Sequence, residues 1–297
     1  MPNIEHTEQS FPVLFLYRKE LPDSGGAGQY RGGLSAESCF IPHNTDFITQ
    51  DTLSSGNATP TSPGMMGGYP SPTNAYTFLR ETDIFDKIKH RTMPGDTSEI
   101  SGREEVLQLR QENFQQHAAD VYAVRWTGGG GFGDPFDRAP ADIEKDLEDY
   151  AITPEAARSI YGAVLDTQGR VDIEATAAER ARIRRGRLNG GAGKTRQGEL
   201  VFQASPLLDA RRDGQGQYWA CSKCSAELGP LSDNYKHHCI REDNPVSSSN
   251  PLIGDPARYI DDAVSFRQFF CTGCGALIDN EIAVSSDSLL HDVVPAL

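Results

Sequence analysis

Two C-x-x-C pairs constrain this chain more than any other feature: CSKC at Cys221–Cys224 and CTGC at Cys271–Cys274. Cysteines at this spacing present two thiolates to one ion from a tight turn, and zinc takes four such ligands in a tetrahedron. Aromatic stretches lead into both pairs, YWA before Cys221 and FRQFF before Cys271. A strand running into a knuckle is how a zinc ribbon is built, so the pattern predicts a structural zinc site made of Cys221, Cys224, Cys271 and Cys274. A closed four-thiolate site has no open position for substrate, so the ion would hold a fold together and perform no catalysis. The bland alternative, four reduced cysteines packed near each other, leaves the doubled spacing unexplained. The gap of 46 residues between the pairs exceeds the usual ~15–20; an inserted loop, DNPVSSSNPLIGDPARYIDD, would account for it. His237, His238 and Cys239 lie within the gap. They could replace one cysteine or bind a second metal, although such residues are more often simply exposed or packed.

Charge narrows the function classes. The 297 residues carry 28 basic and 42 acidic side chains, a formal charge of −14, which disfavours general binding to nucleic acid or anionic membrane. No apolar run approaches the ~18 residues of a membrane span, and MPNIEHTEQS lacks a basic segment followed by an apolar one. The expectation is a cytoplasmic protein, in which paired cysteines point to metal and not to disulfides. One stretch runs against the overall charge. ERARIRRGRLNGGAGKTR, Glu179 to Arg196, holds seven basic residues and one acidic one. It reads as a helix end followed by a solvated linker, or as a contact with an acidic neighbouring subunit. Its GGAGKT resembles a phosphate-binding loop, but Leu188 stands where that pattern requires glycine, and no apolar strand leads in.

Along the chain, FPVLFLYR (Phe11–Arg18) reads as a strand, and residues 41 to 77, rich in Pro, Gly, Ser, Thr and Asn, as a long ordered loop or a disordered one. Glu104 to His117 looks weakly helical, and VYAVRW (Val121–Trp126) looks like a strand. A short helix is expected near Asp142–Tyr150. A second has Thr153 as cap, Pro154 at its first position and Gly162 as its stop. VDIEATAAERARIRRGRL reads as a third. The fold class is therefore α+β: a glycine-rich mixed β/loop domain with C-terminal helices over 1–188, a linker at 189–200, and a small zinc-ribbon-like β domain over 201–297.

WTGGGGFGDP (Trp126–Pro135) poses a separate question, because four consecutive glycines are entropically costly in an ordered chain. The flanking VYAVRW and the enclosed Phe132 argue against a flexible linker. Taken in order, PDSGGAGQYRGGL, WTGGGGFGDPFDR and ITPEAARSIYGAVL resemble the C-terminal half of the hydantoinase B family, which includes 5-oxoprolinase halves and the large subunits of acetone and acetophenone carboxylases. The resemblance covers about residues 10 to 188, with Gln29 in place of a frequent basic residue and Ser35 in place of glycine. It implies that the glycine run is an ordered segment beside a subunit or substrate surface. The cysteine region resembles the small zinc-bearing subunit of acetone carboxylase-type enzymes.

The two resemblances together imply a subunit of an ATP-dependent ketone carboxylase or a hydantoinase/oxoprolinase-type complex. Such a subunit would be a hydrolase or ligase component, inactive alone and working in a hetero-oligomer with a hydantoinase A-like ATP-handling subunit and a hydantoinase B-like large subunit. ATP and a second, catalytic metal would then belong to those partners or to the family's N-terminal half. The alternative is a zinc-ribbon binding module that holds protein or nucleic acid without catalysis. Catalytic residues are not assignable from the sequence. His43, near Asp46, reads as a surface histidine; Asp134, Asp23 and Ser24 could line a site or cap turns.

Overall fold

The computed structural model describes residues 3–188, 191 and 193–295. In chain order the elements are α1 (Ile4–Ser10), β1 (Val13–Glu20), β2 (Ala36–Pro42), β3 (Phe47–Leu53), β4 (Ala75–Arg80), α2 (Ile84–Lys89), β5 (Arg103–Glu104), β6 (Arg110–His117) and β7 (Val121–Arg125). Then follow α3 (Pro140–Glu148), α4 (Pro154–Ser159), α5 (Ile173–Arg187), β8 (Glu199–Ser205), β9 (Leu208–Asp213), β10 (Gly216–Cys221), β11 (Glu227–Pro230), β12 (Ile240–Pro245), β13 (Val264–Phe270) and β14 (Leu277–Val284). Sheets dominate and helices are few, as the α+β reading expected.

The first sheet has the order β1-β2-β7-β4-β5, with antiparallel neighbours throughout. Its centre is β7, whose Val121, Tyr122 and Ala123 are all buried. A strand flanked on both sides and covered on both faces needs an unbroken apolar run. Leu16, Cys39, Ile41 and Leu79 pack with Val121 and Ala123 on one face; Phe78, Leu107 and Phe114 pack with Tyr122 on the other.

Two expectations from the N-terminal sequence fail. Glu104 to His117 is not helical: Arg110–His117 is β6, paired antiparallel with β3. Its Arg, Gln and Glu residues suit a helix locally, but Phe114 and Gln116 alternate inward. Gln116 donates to the carbonyls of Phe40 (3.2 Å) and Asp120 (2.8 Å), which fixes that alternation. Residues 41 to 77 are only partly loop, since they contain the end of β2, all of β3 and the start of β4.

The glycine run is ordered. Three bare backbone segments, around residues 25–33, 64–69 and 128–133, bond to one another edge to edge. Gly26 N–H donates to Gly129 (2.8 Å), Gly129 to Gly33 (2.9 Å), Gly131 to Tyr69 (2.9 Å) and Met65 to Gly131 (2.9 Å). A Cβ on Gly131 would overlap the Ala27 carbonyl, and one on Gly32 would overlap the Gly129 carbonyl. The segments approach more closely than any side chain allows, which is what the glycines are for.

The helix expected near Asp142–Tyr150 runs over Pro140–Glu148, and the other two expected helices start where the sequence signals them; α1 and α2 were not foreseen. Thr153 Oγ1 accepts from Ala156 N at 3.1 Å to cap α4, Gly162 takes φ +61 just beyond it, and Asp172 caps α5 through Ala175 N at 2.9 Å. The C-terminal part has two small antiparallel sheets, β11-β10-β9-β8 and β12-β13-β14. The linker expected at 189–200 includes Asn189, Gly190 and Ala192, which lie outside the described residues. Around them, Gly193 N donates to Thr272 O at 2.9 Å and Thr195 bridges Ala226, so this stretch follows the cysteine turns.

Candidate metal centre

Each C-x-x-C pair is the turn of a β-hairpin, the first between β10 and β11 and the second between β13 and β14. The two turns repeat one hydrogen-bond pattern. Cys221 N donates to Ala226 O (2.9 Å) and Ser225 N to Cys221 O (2.9 Å). In the second, Cys271 N donates to Ala276 O (2.8 Å) and Gly275 N to Cys271 O (2.9 Å). The equivalent residues Ser225 and Gly275 both sit in the left-handed region, at φ 58 and 69. Glycine is required at the second: a Cβ on Gly275 would run into the Arg184 carbonyl.

These turns bring the sulfurs of Cys221, Cys224, Cys271 and Cys274 within 4.8 Å of one another. Cys221 and Cys274 are 3.8 Å apart and Cys224 and Cys271 are 3.5 Å apart, too far for disulfide bonds. Sulfurs bound tetrahedrally at ~2.3 Å from a zinc ion would lie about 3.8 Å apart. The donor set and its spacing fit a metal ion. Hydrogen bonding from Cys221 draws the Cys224 thiol down to about 7 and lowers Cys274 as well. Hydrogen bonds within the cluster push Cys221 and Cys271 upward. A bound cation would favour all four as thiolates. Trp219, Leu228, Leu231, Tyr235 and Ile278 pack with Cys221 and Cys271 in one buried cluster.

The neighbouring candidates stand apart from this centre. His238 Nε2 lies 2.7 Å from Asp233 Oδ2. Cys239 donates to Tyr235 O at 3.5 Å, and burial pushes its thiol up to about 12. Among the described residues, neither they nor His237 join a cluster of metal-ligand geometry. His43 and Asp46 are exposed. Asp23 holds Thr153, the cap residue of α4, by accepting from its N (2.8 Å) and Oγ1 (2.7 Å). Ser24 is buried, donating to Leu21 O (2.6 Å) and accepting from Ser35 N (2.7 Å).

Asp134, after the glycine run, both caps a turn and joins the two halves. One oxygen accepts from Phe136 N at 2.9 Å; the other accepts from Arg184 at 2.6 Å and from Leu277 N at 3.2 Å. Around it, Lys223 pairs with Asp137, Arg187 donates to Gly275 O at 2.9 Å and stacks over Phe270, and Asn280 donates to Gly68 O at 2.8 Å. Gln268 donates to Tyr69 Oη at 2.8 Å. The expected inserted loop lies on the same seam, with Asn250 donating to Asp23 O (3.0 Å) and Arg125 donating to Leu252 O (2.7 Å). The first residues of that proposed insertion, Asp243–Pro245, belong to β12.

Sequence reasoning missed a buried charge cluster beside the metal centre. Lys236, with a fully buried side chain, lies 3.3 Å from Asp279, 3.1 Å from Glu281 and 3.2 Å from Asp292. Arg267, equally buried, pairs with Glu281 at 3.0 Å. No local pattern marks Lys236, whose carboxylate partners lie 43 to 56 positions away.

The two halves, so joined, match two families. Residues 1–135 match the Hydantoinase B/oxoprolinase family and residues 198–297 match the acetone carboxylase gamma subunit family. One chain thus carries a stretch similar to the hydantoinase B/oxoprolinase family and a stretch similar to the acetone carboxylase gamma subunit family. Its relatives include the acetone carboxylase alpha subunit of Xanthobacter autotrophicus, 30% identical over 63% of this chain and 26% of that protein. The acetophenone carboxylase delta subunit of Aromatoleum aromaticum is 30% identical over 61% and 28%, and the caprolactamase subunit beta of Pseudomonas jessenii is 31% identical over 60% and 28%. The chain thus spans about a quarter of the length of these curated relatives. A nucleotide-free acetone carboxylase structure, from work on ATP-dependent acetone carboxylation, superposes with a TM-score of 0.56 at 29% identity, over 65% of this chain and 27% of that one. No helix among the described residues is long and apolar enough to cross a membrane.

Proposed function

We propose that this chain is a subunit of an ATP-dependent carboxylase complex acting on a ketone-like substrate. In this reading it supplies large-subunit structure through residues 1–188 and a structural zinc module through residues 201–297. The observation that carries this reading is the Asp134 seam, which docks a gamma-type segment on a hydantoinase B segment. Zinc would be held by Cys221, Cys224, Cys271 and Cys274, all four as thiolates, and would fix the two hairpin turns against each other. ATP handling and the catalytic metal fall to partners, a hydantoinase A-like subunit and a hydantoinase B-like large subunit, so the isolated chain is inactive. The chain works in the cytoplasm.

The deciding experiment is native mass spectrometry of the complex recovered from its own cells, with metal analysis of the same sample. The reading requires co-purifying ATP-handling and large-subunit partners and about one zinc per chain. A lone chain, or a partnered one whose complex shows no ATP-dependent carboxylation of any ketone, counts against it.

A further inference from the structure

The arginine segment of α5 does more than close the seam. A cavity of about 490 Å³ lies between α5 and the second cysteine turn. Ala177 and Ala181, one helical turn apart on α5, line it together with Phe136, and their short side chains leave room that Arg180, Arg184 and Arg185 surround.

The charges there are unevenly matched. Arg184 is engaged by Asp134 and Asp137, and Lys223 shares Asp137. Arg180 is only 9% exposed. Its Nε and Nη1 donate to the carbonyls of Tyr161 and Arg138, each at 2.9 Å. Its Nη2 has no partner, nor does Arg184 Nε. No carboxylate pairs with Arg180, and a buried cation without a counter-ion is costly. Arg185 is exposed, and no ion pair holds it among the described residues. Two carboxylates thus pair with Arg184 and Lys223 and none with Arg180 or Arg185 among the described residues, in a chain whose formal charge is −14.

We propose that this cavity is an anion site for a small organic carboxylate. The carboxylate oxygens would meet the guanidinium group of Arg185, the uncompensated charge of Arg180 would attract them through the cavity wall, and a short apolar body would lie on Phe136, Ala177 and Ala181. Guanidinium forks suit this planar anion geometrically. The proposal rests on α5 and its surroundings and stands whether or not the chain works in a carboxylase.

The test is calorimetric titration of the full chain at low ionic strength with butyrate, inorganic phosphate and butyramide, the last a neutral analogue of similar size. Butyrate should bind, more weakly as salt rises, with phosphate weaker still and butyramide silent. Arg185→Gln removes a side chain with no internal partner and should weaken butyrate binding about tenfold. Arg182→Gln, on a residue paired with Glu179, should leave the affinity unchanged. Absence of binding by wild type, equal affinity of Arg185→Gln, or butyramide binding as tightly as butyrate would overturn the site. Phosphate binding tighter than butyrate would overturn its assignment to a carboxylate.

Discussion

Arg184 and Asp134 stand 50 positions apart in the sequence and 2.6 Å apart in the fold. The carboxylate side chain is 1% exposed and also accepts from Leu277 N in the cysteine-bearing segment. Asp134→Asn keeps the oxygen that caps Phe136 but sets an amide donor against Arg184 and Leu277 N–H. Breaking a buried pair on one side typically costs about 2–4 kcal/mol. Urea unfolding should show a loss in that range; a loss below about 0.5 kcal/mol would mean the seam does not depend on this pair.

The glycine layer makes a sharper contrast. Gly131→Ala places a methyl into the Ala27 carbonyl, which the bonded backbone cannot avoid, and should cost more than ~3 kcal/mol or prevent folding. Gly186→Ala, near the end of α5 with open space around it, should be neutral or stabilise by up to ~1 kcal/mol. Thermal unfolding of both variants checks the pair; similar shifts would show that close backbone approach is not the reason for glycine at 131.

Metal removal should collapse the module around Trp219. That side chain is fully buried in the cluster containing Cys221 and Cys271, and small metal-held units unfold without their ion. Stripping metal from the wild type, or replacing Cys274 by Ser, should shift tryptophan emission to the red against the partly exposed Trp126 background. An unchanged spectrum in verified metal-free protein would show that the hairpins hold without an ion.

Asp279 gives a pH signature. Burial, and after it the hydrogen bond and charge of Asp292, raise its carboxyl to about 6, although Lys236 acts in the opposite direction. The folded state therefore binds this proton more tightly than the unfolded state. The group's contribution to stability is full below its unfolded value near 3.8 and is lost as pH rises to about 6. The difference in urea midpoint between wild type and Asp279→Asn should change across this window, by up to about 3 kcal/mol in free energy, and be flat above it. A flat difference throughout would place the proton elsewhere in the Lys236 cluster.

What the sequence made legible was local. Thr153, Pro154 and Gly162 mark a helix because capping, ring geometry and positive φ are properties of single residues. The spacing of Cys221, Cys224, Cys271 and Cys274 foretold two turns because each C-x-x-C pair closes within itself. β6 was hidden because its Gln and Glu residues suit a helix until β3 pairs with them. The Lys236 cluster and the Asp134 bridge were hidden because their partners come from separate elements, and nothing local marks a carboxylate that finds its cation 50 positions later.

The two segments that meet at Asp134 are parts of one polypeptide, so their contact is intramolecular. A contact between separate chains weakens on dilution, and its occupancy follows the supply of each partner. Here residues 198–297 arrive in equal number with residues 1–135 and stay beside them at any concentration.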